Sequence, residues 1–377
     1  MAGTWEVVPP LGTCVAPVPV SDETPTVSRE TPLPQPDPEV IARQRMIKAL
    51  GLTESEPLPR PAGTRLVAVA NQKGGVGKTT TAVNLAAALT LLGQRVLVID
   101  MDPQGNASTA LDLPHESGVT GTYEVLVGGK SLLDAVQVVP GLPELWGVPA
   151  SVDLAGAEIE LVSQVARENR LHKAVQTYLS EHETAHDRLD YVIIDCPPSL
   201  GLLTLNALVA AQEVLIPLQS EYYALEGLSH LLGTIGLIQE HLNPGLKITG
   251  ILLTMYDGRT KLAPQVADEV RTHFPDRVLD TTIPRTVRVS EAPSYGQTVL
   301  QYDPQSPGAR AYLAAAREFA TGQSPVTVES AARSVSADES IASDTAEPVA
   351  EADVPDTHVT DTTDIPDIPD QTDAPRS

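Results

Sequence analysis

Ten residues, Asn71–Thr80 (NQKGGVGKTT), limit what this 377-residue chain can fold into more than any other stretch. They follow an apolar run, Leu66–Ala70 (LVAVA), that reads as a buried strand. They lead into Thr79–Leu92, where Val83, Ala86, Ala87 and Thr90 share one helical face. A strand, a glycine-rich turn and a helix, in that order, aim several backbone N–H groups and the positive end of a helix dipole at one point. Gly74, Gly75 and Gly77 let the backbone wrap an anion without Cβ obstruction, with Val76 and Thr80 completing the loop. Lys78 is placed to reach the outer phosphate oxygens, and the Thr79 hydroxyl to ligate Mg²⁺. The segment predicts a phosphate cradle inside an α/β domain.

The residues beyond it repeat the alternation. Val96–Ile99, Glu144–Val148, Tyr191–Ile194, Val214–Leu218, Ile248–Leu253 and Val278–Ile283 read as strands. Ala155–Tyr178, Gly201–Ala211, Leu225–His241, Leu262–His273 and Gly308–Phe319 read as helices between or after them. Continuous apolar strands separated by helices predict a mostly parallel, twisted sheet with helices on both faces. Ligands then belong at the carboxyl ends of the strands.

Proline marks the limits of that domain. Of 33 prolines, twelve fall in residues 1–63 and six in 324–377. Both flanks lack sustained periodicity and are poor in aromatics, so they are expected to be largely disordered arms around one globular domain at 64–322. Within the first arm, Pro38–Leu50 spaces Ile41, Met46, Ile47 and Leu50 as a short amphipathic helix, either packed on the domain or free to dock a partner. Residues 323–377 form an acidic tail, with 13 acids against 2 bases in a chain of net charge −24. Two cysteines, Cys14 and Cys196, form neither a disulfide framework nor a metal set, which fits a reducing cytoplasm. The first twenty residues hold no Lys or Arg, and no apolar run reaches membrane-spanning length, so neither export nor a membrane role is expected.

The loop departs from the common G-x-x-x-x-G-K-[ST] pattern, because Gln72 stands at the first glycine position and Lys73 follows it. K-G-G-x-G-K-T resembles the deviant Walker A motif of the ParA/MinD ATPases. Val96–Ser108 (VLVIDMDPQGNAS) and Tyr191–Ser199 (YVIIDCPPS) resemble the switch and Walker B segments of ParA/Soj chromosome-partitioning proteins. Further matches are Asp153–Leu161, Thr254–Leu262 and Ile283–Gly296, so the likeness runs over most of 64–320 and leaves out both arms. It implies a slow ATPase that is stimulated by a partner. Lys73 would cross to the second subunit's phosphates in an ATP-dependent sandwich homodimer. Asp102 would orient the attacking water, while Asp100 and Asp195 would support Mg²⁺ through its water shell. An Asp after a strand is also a common cap or turn former, and the order and spacing of all three segments favour the metal role. Pro284 and Thr286 fall where relatives hold adenine, although Thr286 replaces a frequent Asn.

One window reverses the acidic balance. From Arg259 to Arg288 there are six bases against four acids, with almost no aromatic residue between them. That pattern suits salt-sensitive phosphate contacts to duplex DNA better than base stacking. ParA proteins resemble this in binding nucleoid DNA without sequence preference, which singles out Arg259, Lys261, Arg285 and Arg288. The resemblance also implies a ParB-like stimulating partner and a nucleoid-associated location. A related positioning ATPase for a non-chromosomal cargo is the alternative, and a MinD-like membrane scaffold fits less well with an acidic, proline-broken tail. His182–His186 (HETAH) fits the zinc-protease pattern H-E-x-x-H but reads as a solvated connector, with no third ligand in sight. The tail itself is open to three readings: a partner-binding segment, a screen over the basic face, or a solubilising extension.

Overall fold

A computed structural model describes residues 38–52, 57–182, 188–221 and 224–322. Seven strands form one sheet: β1 (Arg65–Val69), β2 (Val96–Asp100), β3 (Gln137–Val139), β4 (Leu142–Val148), β5 (Tyr191–Asp195), β6 (Glu213–Gln219) and β7 (Lys247–Thr254). Their order is β3-β4-β2-β5-β1-β6-β7, and every pairing is parallel except β3 with β4. Side chains of β1 alternate between two cores, with Leu66 and Ala68 on one face and Val67 and Val69 on the other.

Each core carries its own helices. The first is covered by α4 (Thr122–Leu126), α5 (Leu154–Glu160), α6 (Arg170–Glu181), α7 (Leu202–Ala210), α8 (Ala224–His241) and α9 (Leu262–His273). The second is covered by α2 (Lys78–Leu91), α3 (Asn106–Ala110), α11 (Val299–Tyr302) and α12 (Pro307–Thr321), with α10 (Val287–Glu291) at its margin. Both faces of the strands are thus dry, which is why the strands read as unbroken apolar runs. No helix among the described residues is long and apolar enough to cross a membrane.

The amphipathic segment before the domain forms α1 (Pro38–Ala49), and Met46 is buried in the second core. Packing also begins before residue 64. Leu58 N–H donates to the Leu92 carbonyl at 2.9 Å, and Gln94 donates back to the Leu58 carbonyl at 2.8 Å. Arg60 reaches Asp190 at 2.7 Å, while the Arg188 guanidinium holds the Pro61 and Ala62 carbonyls at 2.7 and 2.8 Å.

Two expected elements are different in the structure. Val278–Ile283 is not a strand: it touches β7 through isolated bridges, with Leu279 N–H on the Ile251 carbonyl at 2.9 Å and Ile283 N–H on the Leu253 carbonyl at 2.8 Å. Between them, the Asp280 and Thr281 N–H groups turn away to the Glu318 carboxylate, which interrupts the ladder. The expected helix Ala155–Tyr178 is broken between Leu161 and Asn169, where Ala166 has φ +51°. Buried Asn206 of α7 fixes the break by donating to the Arg167 carbonyl at 2.9 Å and accepting from Leu171 N–H at 3.2 Å. The short β3 went unexpected, although Pro140-Gly141, with Gly141 at φ +75°, is a turn signal flanked by apolar residues.

Candidate active site

The central strands end side by side. Val69, Asp195 and Asp100 are in register across β1, β5 and β2, so two carboxylates stand next to the loop that leaves β1. Gly75 (φ +75°) and Gly77 (φ +87°) take backbone conformations that a side chain would strain, and α2 starts immediately after. The loop is pinned from outside. Asn71 donates to the Pro217 carbonyl at 2.8 Å and accepts from Lys73 N–H at 3.0 Å, while the Thr254 hydroxyl donates to the Val76 carbonyl at 2.7 Å. Val76 is therefore buried beneath the cradle rather than facing it.

Above the loop lies a cavity of about 400 Å³. Gly74, Gly75, Gly77, Lys78, Thr79, Thr80 and Asp102 line it, as the sequence predicts. Thr109, Met255 and Pro293 also line it and were not anticipated. Met255 carries a positive φ of +50°, a conformation that only surrounding packing sustains in a non-glycine residue. Pro284 and Thr286 stand apart from this lining. Pro284 bridges to Tyr256, and the Thr286 hydroxyl is buried near Gly308.

The electrostatics of the site are unbalanced in a specific way. Asp100 is fully buried and well held, accepting from Ser108 N–H at 2.9 Å, the Ser108 hydroxyl at 2.7 Å and Asp102 N–H at 3.1 Å. Burial still pushes its carboxyl up to about 6. Asp195 is equally buried, yet no hydrogen bond of normal geometry reaches either carboxylate oxygen, the Thr79 hydroxyl being the neighbour that favours its charged form. Burial and the adjacent Asp100 hold its carboxyl well above the usual range. Lys78, whose Nζ rests on the Lys73 carbonyl at 3.1 Å, is lowered by burial and partly restored by Asp195.

An orphaned buried carboxylate beside a threonine hydroxyl and a second carboxylate is a donor set that fits a hydrated divalent cation. Among the described residues, no group of three or more His, Cys, Asp or Glu could hold a metal by itself. His182 stacks on Tyr178 and bonds its carbonyl at 2.8 Å, and the rest of the HETAH segment lies outside the described residues.

Comparisons with known proteins match this geometry. A family profile described as an AAA domain covers residues 64–248. The sporulation initiation inhibitor protein Soj of Bacillus subtilis (strain 168) is 51% identical over 256 residues, which span 68% of this chain and 98% of Soj. The chain belongs to the ParA/Soj family of P-loop ATPases. The chromosome partitioning protein ParA of Caulobacter vibrioides (strain NA1000 / CB15N) is 52% identical over 254 residues, 67% of this chain and 93% of that protein. Among solved structures, cobyrinic acid a,c-diamide synthase from Mycobacterium smegmatis, with a bound ATP analogue and magnesium, is 40% identical. It has a TM-score of 0.57 and covers 67% of this chain and 93% of its own.

Within this ParA/Soj-family chain, the extra lysine of the loop is not free in the single subunit. The Lys73 ammonium is in contact with the Glu221 carboxylate, which follows β6, and both side chains are nearly half exposed. The expected DNA-contact residues divide. Arg259 lies in a bidentate pair with Asp257 at 2.7 and 2.8 Å, and Arg288 pairs with Glu291 at 3.1 Å and Asp303 at 3.5 Å. Lys261 and Arg285 are exposed and have no ion pair among the described residues. Arg277 is buried, so it adds nothing to an outer face.

Proposed function

We propose that this partitioning ATPase works as an ATP-closed sandwich homodimer that grips duplex DNA without sequence preference and is reset by a ParB-like partner. The observation that carries the reading is the pairing of an intact cradle with a lysine, Lys73, that precedes the lining residue Gly74 yet is not among the cavity-lining residues, its ammonium resting on Glu221. Such a lysine is not needed inside its own site, because Lys78 lines the cavity and is the lysine suited to that site's own phosphates. It suits a second subunit's phosphates, which makes nucleotide binding and dimerisation one linked equilibrium.

When bound, Mg²⁺–ATP supplies the phosphoryl group to be transferred and the charge that offsets the acidic pair. The residues around it have separable tasks. Backbone N–H groups of the 74–80 loop and the Lys78 ammonium hold phosphate oxygens. Thr79 would hold the cation directly, and Asp100 and Asp195 would hold it through bound water. Asp102 orients the attacking water, and its own carboxylate is fixed by Gln104 N–H at 3.0 Å. Pro284 and Thr286 are proposed for the adenine edge. Lys261 and Arg285 make the first DNA contacts, and Arg259 and Arg288 join once phosphates displace their acidic partners.

The test is ATP turnover measured alone, with random-sequence duplex, with a ParB-like partner and with both. Stimulation that requires the partner, together with retention on DNA that needs ATP and fades with salt, supports the reading. Turnover indifferent to both overturns it.

A further inference from the structure

Away from the nucleotide site lies a larger cavity of about 500 Å³, between the segment after α4 and one side of α6 along its whole length. Val125, Leu132 and Ala174 give it an apolar floor, and Lys130, Arg170 and Lys173 stand around it with Glu181 as the one acid in the lining. Among the described residues, none of these three cations has a carboxylate within 4.0 Å. Lys261 and Arg285 are likewise without an ion pair among the described residues, whereas Arg259 and Arg288 find acidic partners, so the groove is one of the places where basic side chains stay open to an anion. Lys130 donates to the Thr120 hydroxyl at 2.9 Å and Arg170 to the Leu126 carbonyl, both neutral acceptors, so the positive charge of the rim is uncompensated and, over an apolar floor, suits a ligand that is anionic and aliphatic at once.

The chain carries such a segment. Asp364-Ile365-Pro366-Asp367-Ile368-Pro369-Asp370 repeats an acid, an isoleucine and a proline. Proline at every third position favours an extended helix of three residues per turn and about 3.1 Å rise. The sequence repeats its acid every third residue, with one isoleucine in each interval. We infer that Asp364–Asp370 docks in the groove between α4 and α6, its carboxylates on Lys130, Arg170 and Lys173 and its isoleucines on the apolar floor. Distance does not prevent it. The last described residue is Gly322, and at about 3.3 Å per residue the intervening stretch reaches any point on the domain. This inference stands independently of the DNA and partner reading above.

The test uses the full chain and a fluorescent peptide of residues 360–374. The chain's own segment competes with the peptide at an effective concentration in the millimolar range. Peptide binding is therefore expected to be weak on the parent and roughly tenfold tighter on D364N/D367N/D370N, whose own segment is disabled. Adding K130E/K173E to that variant is expected to abolish the gain. These are surface changes, and an unchanged melting temperature verifies folding. A peptide of identical composition in scrambled order should bind at least fivefold more weakly.

Equal binding of the scrambled peptide reduces the effect to net charge and overturns the proposal. So does peptide binding that survives K130E/K173E, which would place it on another basic face such as that of Lys261 and Arg285. Zero-length carbodiimide coupling of a mixture of isotopically light and heavy parent chains identifies the source. Same-label Lys130 or Lys173 links to the segment support docking of the chain's own tail, and mixed-label links assign it to a second copy and overturn it.

Discussion

Two aspartates, Asp190 and Asp195, sit at opposite ends of β5, and both are completely buried. At the amino end, Asp190 is saturated. It takes Arg60 at 2.7 Å, Arg95 N–H at 2.9 Å and Arg188 at 3.5 Å, tying the segment before β1 to the base of the sheet. At the carboxyl end, Asp195 has no hydrogen-bond partner of normal geometry and presses against Asp100. One strand thus carries a carboxylate that secures the fold and another that destabilises the ligand-free state. Buried polar groups are normally paired, so the unpaired one marks the end where a ligand completes the structure.

The largest effect expected is on the functional side. Asp102→Ala should reduce ATP turnover more than a hundredfold while nucleotide affinity changes only a few-fold, since Asp102 is assigned to the water and not to phosphate. Equilibrium binding measured beside steady-state turnover checks this, and loss of binding would remove the assignment. Next comes the structural pole. Asp190→Ala strands two guanidinium groups and an N–H donor, and should lower unfolding stability by about 3 kcal/mol in a denaturant titration. A loss under 0.5 kcal/mol would dissolve the contrast between the two ends.

Asp195→Asn should act in the opposite direction, raising stability of the ligand-free chain by roughly 1–3 kcal/mol at pH 7.5. Both Asp100 and Asp195 have folded-state values above the ordinary carboxyl value of 3.8. The folded ligand-free protein consequently holds more protons than the unfolded chain between about pH 4 and the raised values. Their contribution to stability is present at low pH and is lost as pH rises through about 6 for Asp100 and through the elevated value of Asp195. Melting curves from pH 4 to 8 should show a shallower decline for the variant than for the parent, and no further stabilisation of the variant by Mg²⁺–ATP. Parallel pH profiles would refute this. The smallest effect belongs to an exposed pair. Glu221→Gln should change stability by less than about 1 kcal/mol, yet lower the ATP concentration needed for the proposed dimerisation by releasing Lys73. Light scattering across an ATP titration detects that shift.

Much of this contrast was readable in the sequence. Tyr191–Asp195 is an apolar run closing on an acid, and NQKGGVGKTT imposes its own geometry, so the strand, the loop and the end of the sheet where they meet were legible. What escaped notice depends on distant partners. Asp190 gives no local sign that Arg60 will find it, and Glu221 gives none that it will meet Lys73. LVSQVAREN contains no glycine or proline, so only Asn206, far along the chain, dictates the break between α5 and α6. Val278–Ile283 has the composition of a strand, but Glu318 draws its middle out of the ladder.

The register that brings Asp100 level with Asp195 also sets an order of events during synthesis. The two residues lie ninety-five positions apart, and β5 occupies the slot between β2 and β1. A nascent chain that has emerged only as far as the phosphate loop and β2 already carries Lys78, Thr79 and Asp100, but its sheet still lacks the central strand. On the proposed assignment of Asp195 to the cation, the site would be complete only once β5 has threaded into that gap, so acquisition of Mg²⁺–ATP would report that the middle of the sheet is complete.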